Sequence, residues 1–392
     1  MAEAWLSIIG LGEDGPEGLS GASRAALAAA EIVFGAPRHL ALVSVGDRGR
    51  AWPVPFDLAP LLACRGRRVA MLVSGDPFWF GAGGSVAAHL APGEWQAFPL
   101  AGTFSLVAAR MGWRLEEVLC LGLHAAPFAR LRPILARGVR AICTLRDAAA
   151  VPALAQWLAA HGFAETRITV CEALGGPRAR LRPGADWPDI TAPVAVALDG
   201  ADLPRSAGLP RASGLPDDLF QHDGQITKRP IRALTLSALA PRPGELLWDI
   251  GGGSGSISVE WALAGGRAIS IETRPDRAAN IRANAGAFGL SHRITVVEGH
   301  APEALKTLST PDAVFIGGGG SADLHAALWA LLPEGTRLVA NGVTLETEAL
   351  LAALHAQHGG SLLRVDLAEA TPLGGFRGWQ AARLVVQWSV TR

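Results

Sequence analysis

Short apolar runs alternate with longer Ala- and Leu-rich segments along most of the chain. Apolar runs of about four to eight residues are typical of buried strands, whereas the longer segments have the spacing of helices. The alternation predicts an α/β fold in which crossover helices join parallel strands. It is lost in the stretch 199–224, which is rich in Pro, Gly, Ser and Asp and therefore predicts a domain boundary.

The strand patterns fall into two sets on either side of this stretch. The first half predicts strands at 5–9, 69–73, 141–145, 168–171 and 194–198. The second half predicts seven, at 246–250, 268–272, 294–297, 313–316, 337–340, 362–365 and 383–390. We therefore expect a domain over 1–204, a linker over 205–222 and a second domain over 223–392.

Composition narrows the classes of partner and location. The chain has 392 residues, and its 35 Lys and Arg balance its 35 Asp and Glu. Zero net charge argues against a nucleic-acid partner, because phosphate binding needs a local excess of cations. The sequence has no apolar run of about 18 residues, no signal-peptide pattern and four widely spaced cysteines. These features predict a cytoplasmic protein with reduced thiols, no membrane partner and no metal site.

The strongest local signal is the segment LLWDIGGGSGSISVEWAL at 246–263. An apolar strand ends near Asp249, and Gly251, Gly253 and Gly255 follow at alternate positions before a helical pattern. Glycines let a backbone turn tightly and approach a ligand closely. Glu272 ends the next strand pattern 23 residues after Asp249, where a carboxylate can accept hydrogen bonds from ribose hydroxyls. Together these features predict a nucleotide-type cofactor site.

The second half resembles the class I S-adenosylmethionine (SAM) methyltransferases. The resemblance is carried by DGQITKRPIRALTLSALAPRPGELLWDIGGGSGSISVEWA (223–262), PDAVFIGGGG (311–320) and VANGVTLETEALL (339–351). Within that family the segment is similar to enzymes that methylate C-15 of a precorrin and decarboxylate its C-12 acetate. The resemblance covers 215–392 and implies a Rossmann-like fold with a seven-stranded sheet.

The resemblance also implies particular site residues. Those expected to bind SAM are Thr227, Asp249, Gly251, Gly253, Gly255, Ser256, Glu272, His300 and Ala301. Many relatives have Asp where His300 stands, and a solvent-facing histidine is the alternative there. The substrate is expected to approach the methyl group near 317–320. Asn341 is a candidate catalytic residue on the substrate side, or the residue of an Asx turn.

The first half has a different set of motifs: WLSIIGLGEDGPEGL (5–19), MLVSGDPFWFG (71–81), LAGTFSLVAARMGW (100–113) and CEALGGPRAR (171–180). In this order they resemble the tetrapyrrole (corrin/porphyrin) methylase family. That resemblance covers about 4–200 and implies two α/β subdomains with SAM in the cleft between them. The residues expected near this SAM are Gly10, Gly75, Asp76, Thr103 and Ser105. His124 is a candidate catalytic residue in the cleft, or a loop or capping histidine.

The two halves in this order are similar to a bifunctional, decarboxylating C5,15-methyltransferase family of aerobic cobalamin biosynthesis. The resemblance implies two SAM sites, one per domain. It also implies that precorrin-6Y gains methyl groups at C-5 and C-15 and loses its C-12 acetate carboxyl as CO₂, giving precorrin-8. The alternatives are another tetrapyrrole substrate, RNA methylation by the second half, or a non-catalytic SAM-binding regulator. The absence of an N-P-P-Y-like motif after the fourth strand of the second half argues against methylation of nucleic-acid base amines.

The substrate in this interpretation is a polycarboxylate, so arginine is the residue type expected to bind it. Arg229 and Arg232 are the candidates because they lie in the segment just before the glycine turn. A role on the surface of a helix is the alternative for both. Members of both resembled families commonly form homo-oligomers, which implies the same for this chain.

Overall fold

The computed structural model describes residues 4–318 and 320–392. The chain forms two compact units, Met1–Phe128 with Leu135–Ala207, and Ala129–Ile134 with Gly208–Arg392. Within the described ranges, no helix has both the length and the apolar composition that crossing a bilayer requires. Single-turn 3₁₀ helices lie at Gly15–Gly18, Gly46–Arg48, Leu115–Glu117, Phe128–Leu131, Asp217–Leu219 and Glu303–Thr307.

The first unit begins with a five-stranded parallel sheet in the order β3-β2-β4-β1-β5. Its strands are β1 (Leu6–Leu11), β2 (Ile32–Gly35), β3 (Gly49–Ala51), β4 (Val69–Ser74) and β5 (Trp95–Phe98). Its helices are α1 (Gly21–Ala29), α2 (Pro37–Val43), α3 (Ala59–Leu62), α4 (Gly83–Ala87) and α5 (Thr103–Met111). The central strands β1 and β4 are buried along nearly their whole length, as parallel strands covered on both faces usually are.

A second sheet completes this unit, in the order β6-β7-β10-β8-β9. Its elements are β6 (Leu119–Gly122), β7 (Arg140–Thr144), α6 (Ala150–Ala160), β8 (Arg167–Glu172), β9 (Arg180–Pro183) and β10 (Val194–Asp199). β6 and β7 pair in parallel, and the other neighbours are antiparallel. Phe104 and Val107 of α5 pack on this sheet, so the helix that leaves the first sheet closes the core of the second.

The second unit contains a seven-stranded sheet in the order β13-β12-β11-β14-β15-β19-β16. Its strands are β11 (Leu246–Ile250), β12 (Arg267–Glu272), β13 (Ile294–Glu298), β14 (Ala313–Ile316), β15 (Arg337–Gly342), β16 (Ser361–Val365) and β19 (Val385–Thr391). Its helices are α7 (Arg229–Leu239), α8 (Ser256–Leu263), α9 (Pro275–Ala287), α10 (Ala322–Leu331) and α11 (Leu345–His358). β19 runs antiparallel to both neighbours. The predicted α/β fold and seven-stranded sheet are confirmed.

The strand order reverses between β11 and β14, which lie side by side at the centre of the sheet. The chain leaves β11 towards β12 on one side and later returns to β14 on the other. Crevices at the carboxyl ends of strands at such a reversal are the usual ligand sites of open α/β sheets. The predicted glycine turn follows β11 at this point.

A two-stranded antiparallel ribbon is formed by β17 (Ala368–Leu373) and β18 (Phe376–Ala381), which pair with each other and not with the seven-stranded sheet. The sequence analysis did not predict it. Leu373, Phe376 and Trp379 on it are 68%, 84% and 79% exposed. The ribbon therefore buries no apolar face, and its sequence does not show the alternation of apolar and polar residues from which strands are predicted.

Candidate functional site

The glycine turn after β11 has a backbone that larger residues rarely adopt. Gly251, Gly253 and Gly255 have φ of 71°, 59° and 71°, in the left-handed region that favours glycine. A Cβ on Gly251 would lie 2.7 Å from the carbonyl oxygen of Gly318, and one on Gly255 would lie 2.7 Å from Cγ2 of Ile281. Side chains at these positions would be strained or would collide with neighbouring segments, so the turn is built of glycine. We call it the glycine cradle, because a backbone without side chains allows the close approach of a cofactor.

Gly252 belongs to the same turn, although the sequence analysis did not single it out. A Cβ there would lie 2.0 Å from Oγ of Ser270 on β12. Its role is to let the turn pack against the neighbouring strand. The signal available in the sequence was the unbroken run of three glycines at 251–253.

Asp249 lies inside the sheet below the turn and is 1% exposed. Its Oδ2 accepts a hydrogen bond from Oγ of Ser258 at 2.6 Å and a longer one from Oγ of Ser270 at 3.5 Å. Burial raises the pKa of this carboxyl to about 6 despite those hydrogen bonds. Asp249 therefore connects β11 to the first turn of α8, and it supports the cradle from beneath.

Glu272, at the end of β12, is fixed by backbone N–H groups. Its Oε2 accepts from the N–H of Gly253 at 2.9 Å, and its Oε1 accepts from Thr273 and Arg274 at 2.9 and 3.0 Å. The first of these bonds ties the carboxylate directly to the glycine turn. Oε1 also accepts from Oγ1 of Thr273 at 3.4 Å, so its lone pairs are used, whereas Oε2 accepts only from Gly253 among the described residues and keeps capacity for a ligand hydroxyl.

The remaining predicted residues of this site lie on the surrounding segments. Ser256 is buried as the first residue of α8, and Thr227 is half-buried in the segment before α7. That segment reaches the turn, because a Cβ on Gly253 would lie 3.5 Å from the carbonyl oxygen of Gln225. His300 is exposed and Ala301 half-buried just after β13. Because β11, β12 and β13 are parallel, all these segments share one edge of the sheet.

The predicted glycine segment after β14 also lies at this edge. Gly318 contacts the position of Gly251, as described above, and Gly319 lies outside the described residues. Beside Gly320 is His325 of α10, whose Nε2 would lie 3.4 Å from a Cβ on that glycine. His325 is 3% exposed, and neither of its ring nitrogens has a hydrogen-bond partner among residues 4–318 and 320–392. Burial lowers its pKa to about 4, so the imidazole is neutral at pH 7.

Asn341 lies within β15 and forms no Asx turn. Its Nδ2 donates to Oγ1 of Thr235 at 2.9 Å, and its Oδ1 accepts from Nε2 of Gln387 at 3.0 Å. Thr235 and Gln387 are buried. The side chain is thus held in a polar network between α7, β15 and β19.

Arg232 was expected to bind the substrate, and its surroundings in this structure argue against that hypothesis. Its side chain is fully buried. Its guanidinium donates to Oε1 of Glu260 at 2.5 Å, to Oδ1 of Asp217 at 2.9 Å, and to the carbonyl oxygens of Leu215 and Thr227. Four of its five N–H donors are used within the protein, and the group is shielded from solvent. Arg229, one helical turn earlier, is exposed.

In the first unit, three loops meet through glycines at the carboxyl edge of the first sheet. A Cβ on Gly10 would lie 2.0 Å from the carbonyl oxygen of Gly75. Gly75 has φ of 60°, and a Cβ on it would lie 2.5 Å from Cα of Gly102. The ends of β1 and β4 and the residue before α5 are therefore packed backbone against backbone.

These loops form one wall of a cavity of about 280 Å³ between the two sheets of this unit. Of the predicted residues, the cavity is lined by Gly75, Asp76, Thr103, Ser105 and His124. Gly10 lies beneath it, against Gly75. Asp76 Oδ1 accepts from the N–H of Phe78 at 2.8 Å, and Nδ1 of His124 lies 3.3 Å from Oγ1 of Thr144. His124 is exposed in the cavity wall and caps no helix.

The sequence analysis missed a polar cluster on this cavity. Nη2 of Arg38 donates to Oγ of Ser74 at 3.0 Å, and Nε2 of His39 lies 2.9 Å from the same oxygen. Arg38 also forms an ion pair with Glu13. Burial and the charge of Arg38 lower the pKa of His39 to about 4, so the imidazole is neutral. No pattern in the sequence connects these residues, because they come from the ends of three separate elements.

Glu172, which the motif CEALGGPRAR contains, is an internal anchor. Its carboxylate accepts from Arg180 Nη2 at 2.6 Å, Arg182 Nε at 2.7 Å and the N–H of Thr191 at 2.6 Å. Burial raises its pKa, but these donors outweigh burial and hold the pKa below its ordinary value. Among the described residues, no group of three or more His, Cys, Asp or Glu side chains is placed to hold a metal ion.

Comparison with known proteins gives matches over both units. Residues 6–185 match the family model of tetrapyrrole (corrin/porphyrin) methylases, and residues 218–392 match that of the precorrin methyltransferase domain. The chain is 47% identical to a precorrin-6Y C(5,15)-methyltransferase [decarboxylating] of Sinorhizobium sp, over 100% of this chain and 97% of that protein. It is 39% identical to the protein of that name from Mycobacterium tuberculosis, over 99% and 100%.

A solved structure is also similar to the second half. It is the C-terminal domain of precorrin-6Y C5,15-methyltransferase from Rhodobacter capsulatus, with 62% sequence identity and a TM-score of 0.46. The match covers 47% of this chain and 100% of that one.

Proposed function

The chain belongs to the family of precorrin-6Y C(5,15)-methyltransferases (decarboxylating), and from this premise we propose the reaction that it catalyses. It converts precorrin-6Y to precorrin-8 in aerobic cobalamin biosynthesis. The first unit methylates C-5. The second unit methylates C-15 and removes the C-12 acetate carboxyl as CO₂.

The observation that supports two separate methylations is a glycine-built cradle in each unit. In the first unit it is formed by Gly75 and its neighbours at the ends of β1 and β4. In the second it is formed by Gly251, Gly253 and Gly255 after β11. One chain with two such cradles on unrelated sheets is suited to two transfers to one substrate.

Both cradles fit SAM. When bound, SAM supplies a methyl group on a positively charged sulfur. In the second unit, the residues that would hold it are Thr227, Asp249, Gly251, Gly253, Gly255, Ser256, Glu272, His300 and Ala301. Glu272 would accept a ribose hydroxyl through Oε2, because three backbone N–H groups fix its carboxylate and Oε2 keeps a free lone pair. In the first unit, Gly75, Asp76, Thr103 and Ser105 line the cavity, and Gly10 shapes its floor.

The protein's main contribution to both methylations is position. The meso carbons of the substrate are electron-rich, so each needs only to be held in line with the methyl group in a site that excludes water. His124 and Asn341 are the candidates to contact the reacting substrate in the first and second units. Arg229 is exposed on the helix that follows Thr227 and is the candidate partner for a substrate carboxylate in the second unit.

The experiment that tests this function is the product mass after incubation of the pure chain with SAM and precorrin-6Y. Two methyl gains with the loss of one CO₂ are expected. An intact substrate in the presence of bound SAM would contradict the proposal and would favour another tetrapyrrole. Methylation of RNA by the same preparation would favour the nucleic-acid alternative.

The chain is also proposed to form a homo-oligomer. The exposed apolar side chains of Leu373, Phe376 and Trp379 on the β17–β18 ribbon support a self-contact, because monomers rarely expose such groups together. Light scattering coupled to size-exclusion chromatography gives the molar mass. A mass of one chain, near 40.7 kDa, would contradict the proposal.

A further inference from the structure

Three consecutive aromatic residues follow the Asp76–Pro77 turn at the end of β4. Phe78, Trp79 and Phe80 keep 47%, 42% and 54% of their surface exposed. Leaving such rings in water forgoes about 25 cal/mol for each Å² that could be buried. An exposed apolar cluster in a cavity wall is therefore a sign of a ligand that covers it.

The backbone holds these rings in fixed positions. Phe80 has φ of 55°, which is costly for a residue with a large side chain and persists only where its surroundings enforce it. Gly81 and Gly83 complete a tight turn, since a Cβ on either would lie within 2.6 Å of the carbonyl oxygen of Pro77. The ring of Phe80 also lies close to Gly122, where a Cβ would be 2.9 Å from its Cδ1.

Two of the three rings belong to the cavity of the first unit. Trp79 and Phe80 line it together with Thr103 and Ser105. Both rings rest on buried Phe104, at centroid distances of 5.7 and 5.3 Å. Phe78 turns away and packs on Trp95 at 5.2 Å. We call the pair Trp79 and Phe80 the aromatic rim.

The cavity also has a polar side. Arg38 and Ser74 line it together with Glu13 and Asp76, and Arg38 shares the carboxylate of Glu13 with Arg178. The same cavity thus offers a flat apolar surface and a hydrogen-bonding surface with charges of both signs. The ligand that matches both is a conjugated ring system with polar groups at its periphery, one of which reaches Arg38.

We propose that the aromatic rim contacts the face of the tetrapyrrole macrocycle during C-5 methylation and sets the affinity of the first unit for its substrate. The inference rests on the proposed function. It explains the exposed rings and the tight turn together, because a turn of fixed backbone presents aromatic surface at a smaller cost in conformational entropy on binding.

The test uses the full chain with Trp79→Ala, Trp79→Phe and Phe80→Leu variants. Phe56→Ala is the matched control, because Phe56 is 50% exposed in the first unit but does not line the cavity. For each protein, the KM for precorrin-6Y in C-5 methylation is measured. Affinity of the first unit for S-adenosylhomocysteine is measured by calorimetry. C-15 methylation by the second unit is the internal control for intact protein.

The expected result is a KM about tenfold higher for Trp79→Ala, in line with the loss of one aromatic contact and its buried area. Phe80→Leu also raises the KM for precorrin-6Y, and Trp79→Phe retains most of the wild-type affinity. S-adenosylhomocysteine binding and C-15 methylation stay unchanged, as does every parameter of Phe56→Ala.

An unchanged KM in Trp79→Ala and Phe80→Leu would overturn the inference. So would weaker S-adenosylhomocysteine binding with an unchanged KM, which would assign the rim to the cofactor. A wild-type chain that does not methylate precorrin-6Y would instead refute the proposed function.

Discussion

At the scale of single residues, two arginines of α7 that lie in the same sequence motif differ completely in their exposure to solvent. Arg229 and Arg232 are three positions apart, yet the first is exposed and the second is fully buried. Arg232 also lies with its guanidinium 4.8 Å from the ring of Phe220. The buried arginine ties the segment 215–227 to α8, so it supports the edge of the sheet at which the glycine turn lies.

Arg232→Ala is therefore expected to destabilise the second unit by about 3–5 kcal/mol, because Glu260 would be left buried without its charged partner. The thermal transition of the second unit, followed by calorimetry on the full chain, measures this. Arg229→Ala is the matched control, and a surface substitution of this kind changes stability by about 0.5 kcal/mol or less. Equal stability of the two variants would contradict the assignment.

Asp249 predicts a pH dependence of stability. Its pKa rises from 3.8 in the unfolded chain to about 6 in the folded protein, chiefly through burial. Between these values the folded state binds more protons than the unfolded state, so stability is lost as pH rises from about 4 to about 6. In the absence of SAM, the unfolding free energy of wild type relative to Asp249→Asn should fall by up to about 3 kcal/mol from pH 4 to pH 7. A constant difference across that range would refute the shifted pKa.

At the scale of elements, Glu172 anchors the edge strand β9. It ends β8 and pairs with two arginines of β9 and with the backbone of the loop at 191. β9 is short and its side chains are largely polar, so it has little apolar burial of its own. The ion pairs of Glu172 therefore contribute to β9 the stabilisation that a central strand obtains from apolar packing.

Glu172→Ala is expected to lower the stability of the first unit by about 1–3 kcal/mol, because the N–H of Thr191 and two partly exposed arginines lose their acceptor, and to loosen β9. Hydrogen exchange measured by mass spectrometry should show faster exchange over 180–191, while the second unit is unchanged. Glu165→Ala is the control, because Glu165 is exposed in the loop before β8. Slow exchange of β9 in Glu172→Ala would show that the strand is held by other contacts.

The strands of the seven-stranded sheet were predictable, whereas five short strands of the first unit were not. The seven strands were predicted within two residues at each end, since each is a compact apolar run. In the first unit β2, β3, β5, β6 and β9 were missed because each has only three or four residues, and β3 and β9 are polar as well. At the carboxyl edge of the seven-stranded sheet, the strand ends and glycines predicted the residues of the turn after β11, and their contact with a cofactor stays a prediction. The sequence analysis did not identify Arg38, Ser74 and His325. Their importance depends on burial and on contacts between separate elements, which a local sequence pattern does not show.

At the scale of the whole molecule, each unit has its own sheets, core and cradle, so inactivation of one should spare the other. Gly75→Ala places a Cβ 2.5 Å from Cα of Gly102, and Gly251→Ala places one 2.7 Å from the oxygen of Gly318. Each variant alone should yield incomplete product from precorrin-6Y and SAM. An equimolar mixture should restore two methyl gains and one CO₂ loss, because each protein supplies the unit that the other lacks.

The mixture should be slower than wild type at low protein concentration, since the intermediate must diffuse between chains. A mixture that accumulates only singly methylated product would show that the intermediate must stay on one chain, and a mixture as fast as wild type would show that the fusion gives no kinetic advantage.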